Sequence, residues 1–348
     1  MNERDLSPEA AVERFIRRYE GQHSPKTIRS YENRLAHFLE WCEQVGIESM
    51  GEIDGWRIEE YYHWRAAQDV EAVTVKGTLA ALRQLLKYCV DIDVVDADLP
   101  NRIPTINLSK DDERSDLRLE TDRAKRLLEF YRDSVEWYGS AHHVTLEVLW
   151  HTGCRVGGMR ALDVGDFDVD AGTLFFKHRP DTETQLKNDA EGERVVGINP
   201  DTTAVVDHWI KRDRPDRADA FGRDALFSTT QGRASISTLR GWAYMGTQPC
   251  VYRACPHNRK RRTCEWTERR HASKCPSSRS PHAIRTGSIT WQLGEIDDIE
   301  IVSERVNSAP ATIRRYYDVA TPEEKFRERR QGIGNQLDVI GGPTNANN

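Results

Sequence analysis

Long apolar stretches are missing from this chain. None approaches the ~20 consecutive residues that span a bilayer. The opening MNERDLSPEAAVERF also lacks the apolar core of a signal peptide. A cytoplasmic protein with no membrane partner is therefore expected. Lysine is scarce, at 11 of the 50 cationic side chains, and arginine supplies the rest. An excess of positive charge is lacking too: 56 acidic side chains set against those 50 give a net charge of −6. As a sum, this argues against a nucleic-acid binder, whose usual footprint is basic. The distribution weighs more than the sum. Asp and Glu are spread along the whole chain, a composition suited to concentrated salt, where the Debye length falls to about 3 Å at 1 M. Long-range steering is screened there, and close arginine–phosphate contacts survive. A halophilic protein is one expectation, and an ordinary acidic cytosolic protein is the plain alternative.

No internal repeat is visible, so the 348 residues divide as unlike parts, two of them at roughly 100–200 residues per domain. Residues 1–7 are read as disordered up to the Ser7-Pro8 step, which starts a helix with Ser as N-cap and Pro at its first position. Val12, Phe15, Ile16 and Tyr19 follow at helical spacing. Ser24-Pro25 repeats the signal, with Ile28, Tyr31, Leu35, Phe38 and Cys42 behind it. Further helices are expected over Trp56–Ala67 and Val73–Val90, making 8–92 an all-helical bundle. Residues 93–117 lose periodicity and carry two prolines and a charge cluster, and are read as a linker. A second unit, 118–330, opens with helices over Asp122–Arg132 and His142–Trp150. Strands over Thr173–Phe176 and Arg194–Ile198 flank a polar loop, and a helix over Thr202–Lys211 follows. A Cys- and Arg-rich insert spans 250–281, more helix is expected to about Arg330, and 331–348 is read as a disordered tail. The fold class is mainly α with a small β-sheet.

Four features of the second unit could carry chemistry. In His151-Thr-Gly-Cys-Arg155, a Thr-Gly turn delivers an arginine to the mouth of a short helix, where a guanidinium can hold a phosphate bidentately. Lys187 lies in the loop between the two strands, and a lysine there can protonate a leaving oxygen. In Pro281-His282-Ala-Ile-Arg285, a proton-transfer group and a second phosphate clamp share one helix face. In Asn307-Ser-Ala-Pro310-Ala-Thr-Ile-Arg-Arg-Tyr316-Tyr317, two tyrosines close an arginine-rich segment. A phenol becomes a nucleophile only where a base and positive charge stabilise the phenolate. Each feature alone has an ordinary reading as a surface or packing residue.

Their order is more telling. Thr-Gly-x-Arg, a hairpin Lys, His-x-x-Arg and a C-terminal Tyr together resemble the tyrosine recombinase, or phage integrase, family. The resemblance covers about 8–330 and looks most like haloarchaeal members. It implies a helical core-binding (SAM-like) domain that clamps DNA, followed by an α+β catalytic domain. It also implies double-stranded DNA as partner, a dimer or tetramer on that DNA, and strand exchange through a 3′-phosphotyrosyl intermediate with no cofactor for the chemistry. Carried over, Arg155, Lys187, His282 and Arg285 match the catalytic positions, and Tyr317, ahead of Tyr316, matches the nucleophile. Two positions depart from the pattern. Gly158 stands where the family often has Glu, and Asn307 stands where it usually has His or Trp. Asn can hydrogen-bond a phosphate oxygen but cannot shuttle a proton. A DNA-binding relative without strand cleavage, or a type IB topoisomerase-like nickase, are the alternative readings.

Cys42, Cys89 and Cys154 are scattered and read as buried small hydrophobes. Cys250, Cys255, Cys264 and Cys275 cluster, with His257 and His271 among them. In a reducing compartment such a cluster suggests a structural zinc more than disulfides, although C-x4-C-x-H-x6-C-x10-C fits no standard finger. The same insert holds Arg259-Lys-Arg-Arg262 and Arg269-Arg270, which are expected to meet the DNA backbone.

Overall fold

A computed structural model describes residues 6–107, 117–296 and 298–316. The chain separates into two compact units, dividing between Ser115 and Asp116.

The first unit is a four-helix bundle whose starts are set by local capping. Helices α1 (Pro8–Tyr19) and α2 (Pro25–Val45) each begin at a proline behind a serine cap. Ser7 accepts from the Ala10 amide and Ser24 from the Thr27 amide, each at 3.2 Å. Asp54 caps α3 (Gly55–Ala66) through the Arg57 amide at 2.9 Å, and α4 (Ala72–Asp91) completes the set. One face of each helix is buried: Phe15 and Ile16, Leu35, Phe38 and Trp41, Ile58 and Tyr61, and Leu79, Leu82 and Leu86. Each such side chain contributes roughly 1.5–3 kcal/mol through removal from water. The opposite face of α2 leaves Lys26, Arg29 and Arg34 in solvent.

Two expected boundaries shift. Leu6, within the stretch expected to be disordered, is buried, and its carbonyl accepts from Met50; residues 1–5 lie outside the described residues. The segment expected as linker from residue 93 first makes a turn at Leu99–Arg102, where Leu99 and Ile103 enter the same core. Two apolar side chains outweigh the loss of helical periodicity.

The second unit is built around α6 (Ala141–Thr152), buried without interruption from His143 to Thr152. Helix α5 (Thr121–Asp133) packs on it. Beyond α6 come the short α7 (Val156–Ala161) and a three-stranded antiparallel sheet. That sheet comprises β1 (Phe167–Asp168), β2 (Thr173–Phe176) and β3 (Arg194–Gly197), in that order. In the β2–β3 register Leu174 faces Val196 and Phe176 faces Arg194. Helix α8 (Pro200–His208) continues as a π-turn over Trp209–Asp213 in place of the straight helix expected to Lys211. A small hairpin, β4 (Ser228–Thr229) and β5 (Gly232–Arg233), precedes α9 (Ile236–Gly246), which packs on α6. The 250–281 insert is a run of short 3₁₀ turns. Helices α10 (Pro281–Glu295), α11 (Ile299–Val306) and α12 (Pro310–Tyr316) close the described chain. They share a small core of Ile289, Val302, Val306 and Ile313. Among the described residues no helix is long and apolar enough to cross a membrane.

Under α6 lies a buried ionic network. The Glu147 carboxylate, fully inaccessible, is bonded by Arg132 at 2.8 and 3.0 Å, His143 at 3.1 Å and Thr202 at 2.9 Å, with His151 at 3.1 Å. Burial raises its pKa, but the hydrogen bonds from His143, His151 and Arg132 outweigh this and hold it well below the usual carboxylate range. The network fixes the helix whose C-terminal end leads to Arg155.

Candidate active site

Helix α6 ends on Gly153 in the left-handed region, φ +57°. A Cβ there would lie 2.8 Å from the Val306 side chain and 3.2 Å from Gln292 and Ser288. Only glycine allows α6, α10 and α11 to meet this closely. The turn delivers Arg155 to the cap of α7, and its guanidinium donates to the main-chain carbonyl of Asn307. From the other side Arg285, one turn into α10 and 2 % exposed, donates to the carbonyls of Gly153 at 2.5 Å and Val306 at 2.7 Å. The arginines are thus bound to adjacent carbonyls at the end of α11. Both are oriented by main chain, so neither must be ordered when an anion arrives.

His282 stands one turn before Arg285, with its ring open to solvent. Its pKa is lowered from the ordinary imidazole value, first by partial desolvation and then by the positive charges of Arg285 and Arg155. The shift favours the neutral ring over the imidazolium. Lys187 is exposed in the β2–β3 loop, and its carbonyl accepts from Asn307 Nδ2 at 3.1 Å. Arg155, Lys187, Arg285 and Asn307 are thus joined through the end of α11, with His282 one turn away. Tyr316 is the last residue of α12; Tyr317, the expected nucleophile, lies outside the described residues.

A third arginine, absent from the motif reading, belongs to this group. Arg194 on β3 stacks over the Phe176 ring at 4.2 Å and donates to the carbonyls of Arg305 at 2.8 Å and Gly192 at 3.0 Å. Burial, and then the nearby charges of Arg285 and Arg155, push its pKa down to about 10, so it remains a cation at neutral pH. Arg305, also missed, ties α11 to the carbonyls of His151 at 3.1 Å and Gly197 at 3.2 Å. Neither arginine stands in a recognisable motif; each is an arginine in an ordinary strand or helix until the chain is folded. Gly158 faces Phe176 and Leu186, an apolar floor where a carboxylate would be desolvated.

The insert cysteines are not brought together. Cys250 Sγ accepts from Arg261 at 3.5 Å, and His257 pairs with Ser277 Oγ at 2.9 Å. Among the described residues no three His, Cys, Asp or Glu side chains converge as a metal site. Cys250, Cys255, Cys264 and Cys275 therefore do not fit a zinc centre in this arrangement; Cys250 lies in one short turn, Cys264 between two others and Cys275 at the end of a fourth. The basic stretch beside them is exposed at Arg259, Lys260, Arg262, Arg269 and Arg270.

Comparison with known proteins shows what this fold is similar to. The model of the phage integrase N-terminal SAM-like domain matches residues 12–91. Tyrosine recombinase XerC of Shigella dysenteriae is 22 % identical over 310 residues, 88 % of this chain and 90 % of that protein. The Tn1549 transposon integrase, solved with a circular-intermediate DNA, gives a TM-score of 0.68 at 14 % identity over 94 % of this chain and 99 % of its own. The lambda integrase tetramer bound to a Holliday junction gives 0.59 at 12 % identity, over 88 % of this chain and 79 % of its own. The chain is thus similar in sequence and in fold to tyrosine recombinases and phage integrases.

Proposed function

We propose that the chain is a site-specific DNA recombinase that cuts and rejoins duplex DNA through a 3′-phosphotyrosyl intermediate. The observation that carries this reading is the anchoring of Arg155 and Arg285, distant in sequence, on neighbouring carbonyls of one helix end. The two guanidiniums neutralise the non-bridging oxygens of the scissile phosphate as charge builds in the transition state. Tyr317 attacks phosphorus in line, the P–O5′ bond breaks, and Lys187 gives the leaving 5′-oxygen its proton. His282, neutral, is the proton-transfer partner. The ester is conserved in the phosphotyrosine, so a 5′-hydroxyl from a second strand reverses the step without a nucleotide cofactor. Integrase neighbours were captured as a dimer on a core site and a tetramer on a Holliday junction; this chain is proposed to act as a dimer or tetramer on duplex DNA likewise. The acidic, arginine-weighted composition supports activity in molar salt.

A nicked suicide substrate tests the reading, since only a cleaving enzyme becomes trapped on it. Tyr317→Phe deletes one hydroxyl and is expected to abolish the adduct with folding intact. The two tyrosines are neighbours in sequence, and one of them is proposed to serve. Loss of the adduct in Tyr316→Phe instead moves the assignment by one residue, and an adduct that survives both substitutions refutes the mechanism.

A further inference from the structure

Asn307 makes contacts to the protein through its side-chain amide and its main-chain carbonyl. It follows the last turn of α11 with φ +50° and ψ 65°, a conformation asparagine tolerates better than most residues. Both ends of its amide are engaged. Nδ2 donates to the carbonyl of Lys187 at 3.1 Å, and Oδ1 accepts from Asn188 Nδ2 at 3.0 Å. Its own carbonyl holds Arg155. The loop meets this amide closely: a Cβ on Gly192 would lie 2.7 Å from the Lys187 carbonyl and 2.8 Å from Asn307 Nδ2. On the far flank Arg194 joins the Gly192 and Arg305 carbonyls, so the loop is held to α11 from two sides.

The geometry points to Asn307 as a positioning residue, a latch that fixes the Lys187 loop to the helix end on which Arg155 is anchored. This rests on the proposed role of Lys187 as the acid. With the main chain at Lys187 fixed, the reach of the ammonium group is set by its own four-carbon stem. The proton donor and the phosphate clamp are then aligned together, and a loop that leaves α11 disarms the site without unfolding it.

The test uses the full chain and two suicide substrates, one with an ordinary scissile phosphodiester and one with sulfur replacing the bridging 5′-oxygen. When the P–S bond breaks, the electron pair leaves on sulfur as a thiolate, which needs no proton because a thiol is far more acidic than an alcohol. Loss of the acid is therefore repaired by sulfur, and loss of a phosphate contact is not. Asn307→Gly keeps the left-handed backbone and the carbonyl under Arg155 but removes the amide. It is expected to slow cleavage of the ordinary substrate by about 10–100-fold, the scale of a misplaced catalytic group, and to recover most of that on the sulfur substrate. Gly192→Ala, which retains the Asn307 side chain but crowds it and the Lys187 carbonyl, is expected to show the same pattern, with DNA affinity of both variants near wild type. Lys187→Ala is the reference and should also be rescued. If Lys187→Ala is rescued but Asn307→Gly is slowed on both substrates, or not slowed at all, the latch is overturned. If sulfur does not rescue Lys187→Ala, the assignment of the acid fails and the latch falls with it.

Discussion

Two arginine-rich regions of the second unit are built in opposite ways. Around the end of α11, Arg155, Arg194 and Arg285 are bound to main-chain carbonyls and largely withdrawn from water. In the insert, Arg259 lies over Trp266 at 3.7 Å and near Glu265, Arg270 pairs with Glu268, and both remain exposed. A cation fixed by carbonyls has one orientation and acts on one phosphate. A cation on a solvated surface has many and acts on backbone charge in general. We propose that positive charge in this protein is divided accordingly, between a group that orders chemistry and a group that supplies affinity.

The sharpest way to break the division is Arg155→Ala. Cleavage on a suicide substrate should fall about 10²–10³-fold, the cost of one preorganised donor, while equilibrium DNA binding changes little. A parallel loss of binding would put Arg155 with the affinity group. A smaller effect is expected in stability. Glu147→Gln removes the charge that holds Arg132, His143 and His151 and should cost about 3 kcal/mol, read from denaturant unfolding. Because the Glu147 pKa is lowered in the folded state, its contribution is present above the ordinary carboxylate pKa and disappears as pH falls through the folded value. The gap between wild type and variant should close in acid. Next comes salt: Arg259→Ala and Arg262→Ala should each lower the slope of log binding against log salt by about one, alike on specific and unrelated DNA, with cleavage of bound substrate unchanged. An effect on cleavage alone would erase the contrast. The smallest effect concerns the insert. Metal analysis decides between the cysteine pattern, which proposes about one structural zinc per chain, and the described arrangement, which does not hold one. Binding would require the four thiols to be drawn together from the described arrangement; a folded chain without zinc leaves the insert held by packing.

The family, and the places of Arg155, His282 and Arg285, were legible because each stands in a short motif whose spacing survives as local geometry: Thr-Gly before Arg155, and one helical turn between His282 and Arg285. Helix starts were legible at Ser7-Pro8 and Ser24-Pro25 for the same reason, since a cap acts within three residues. The end of the bundle was not: Leu99 and Ile103 join its core after the periodic pattern has stopped. Helix α9 was missed between two turns, and the π-turn after α8 leaves no mark in spacing.

By itself, then, the sequence determined what each segment does locally: the helix starts, the apolar faces, and the order of the chemically active residues. Only the tertiary structure decided how those segments serve one another. Arg194 became the third cation of the site because β3 pairs with β2 in one register, placing it over Phe176 and within reach of the Arg305 and Gly192 carbonyls. Asn307, which reads as an imperfect match to a catalytic position, became a latch because its amide meets the Lys187 loop. These contacts join residues far apart in sequence, and no local spacing encodes a hydrogen bond that exists only once two distant stretches of main chain lie 3 Å apart.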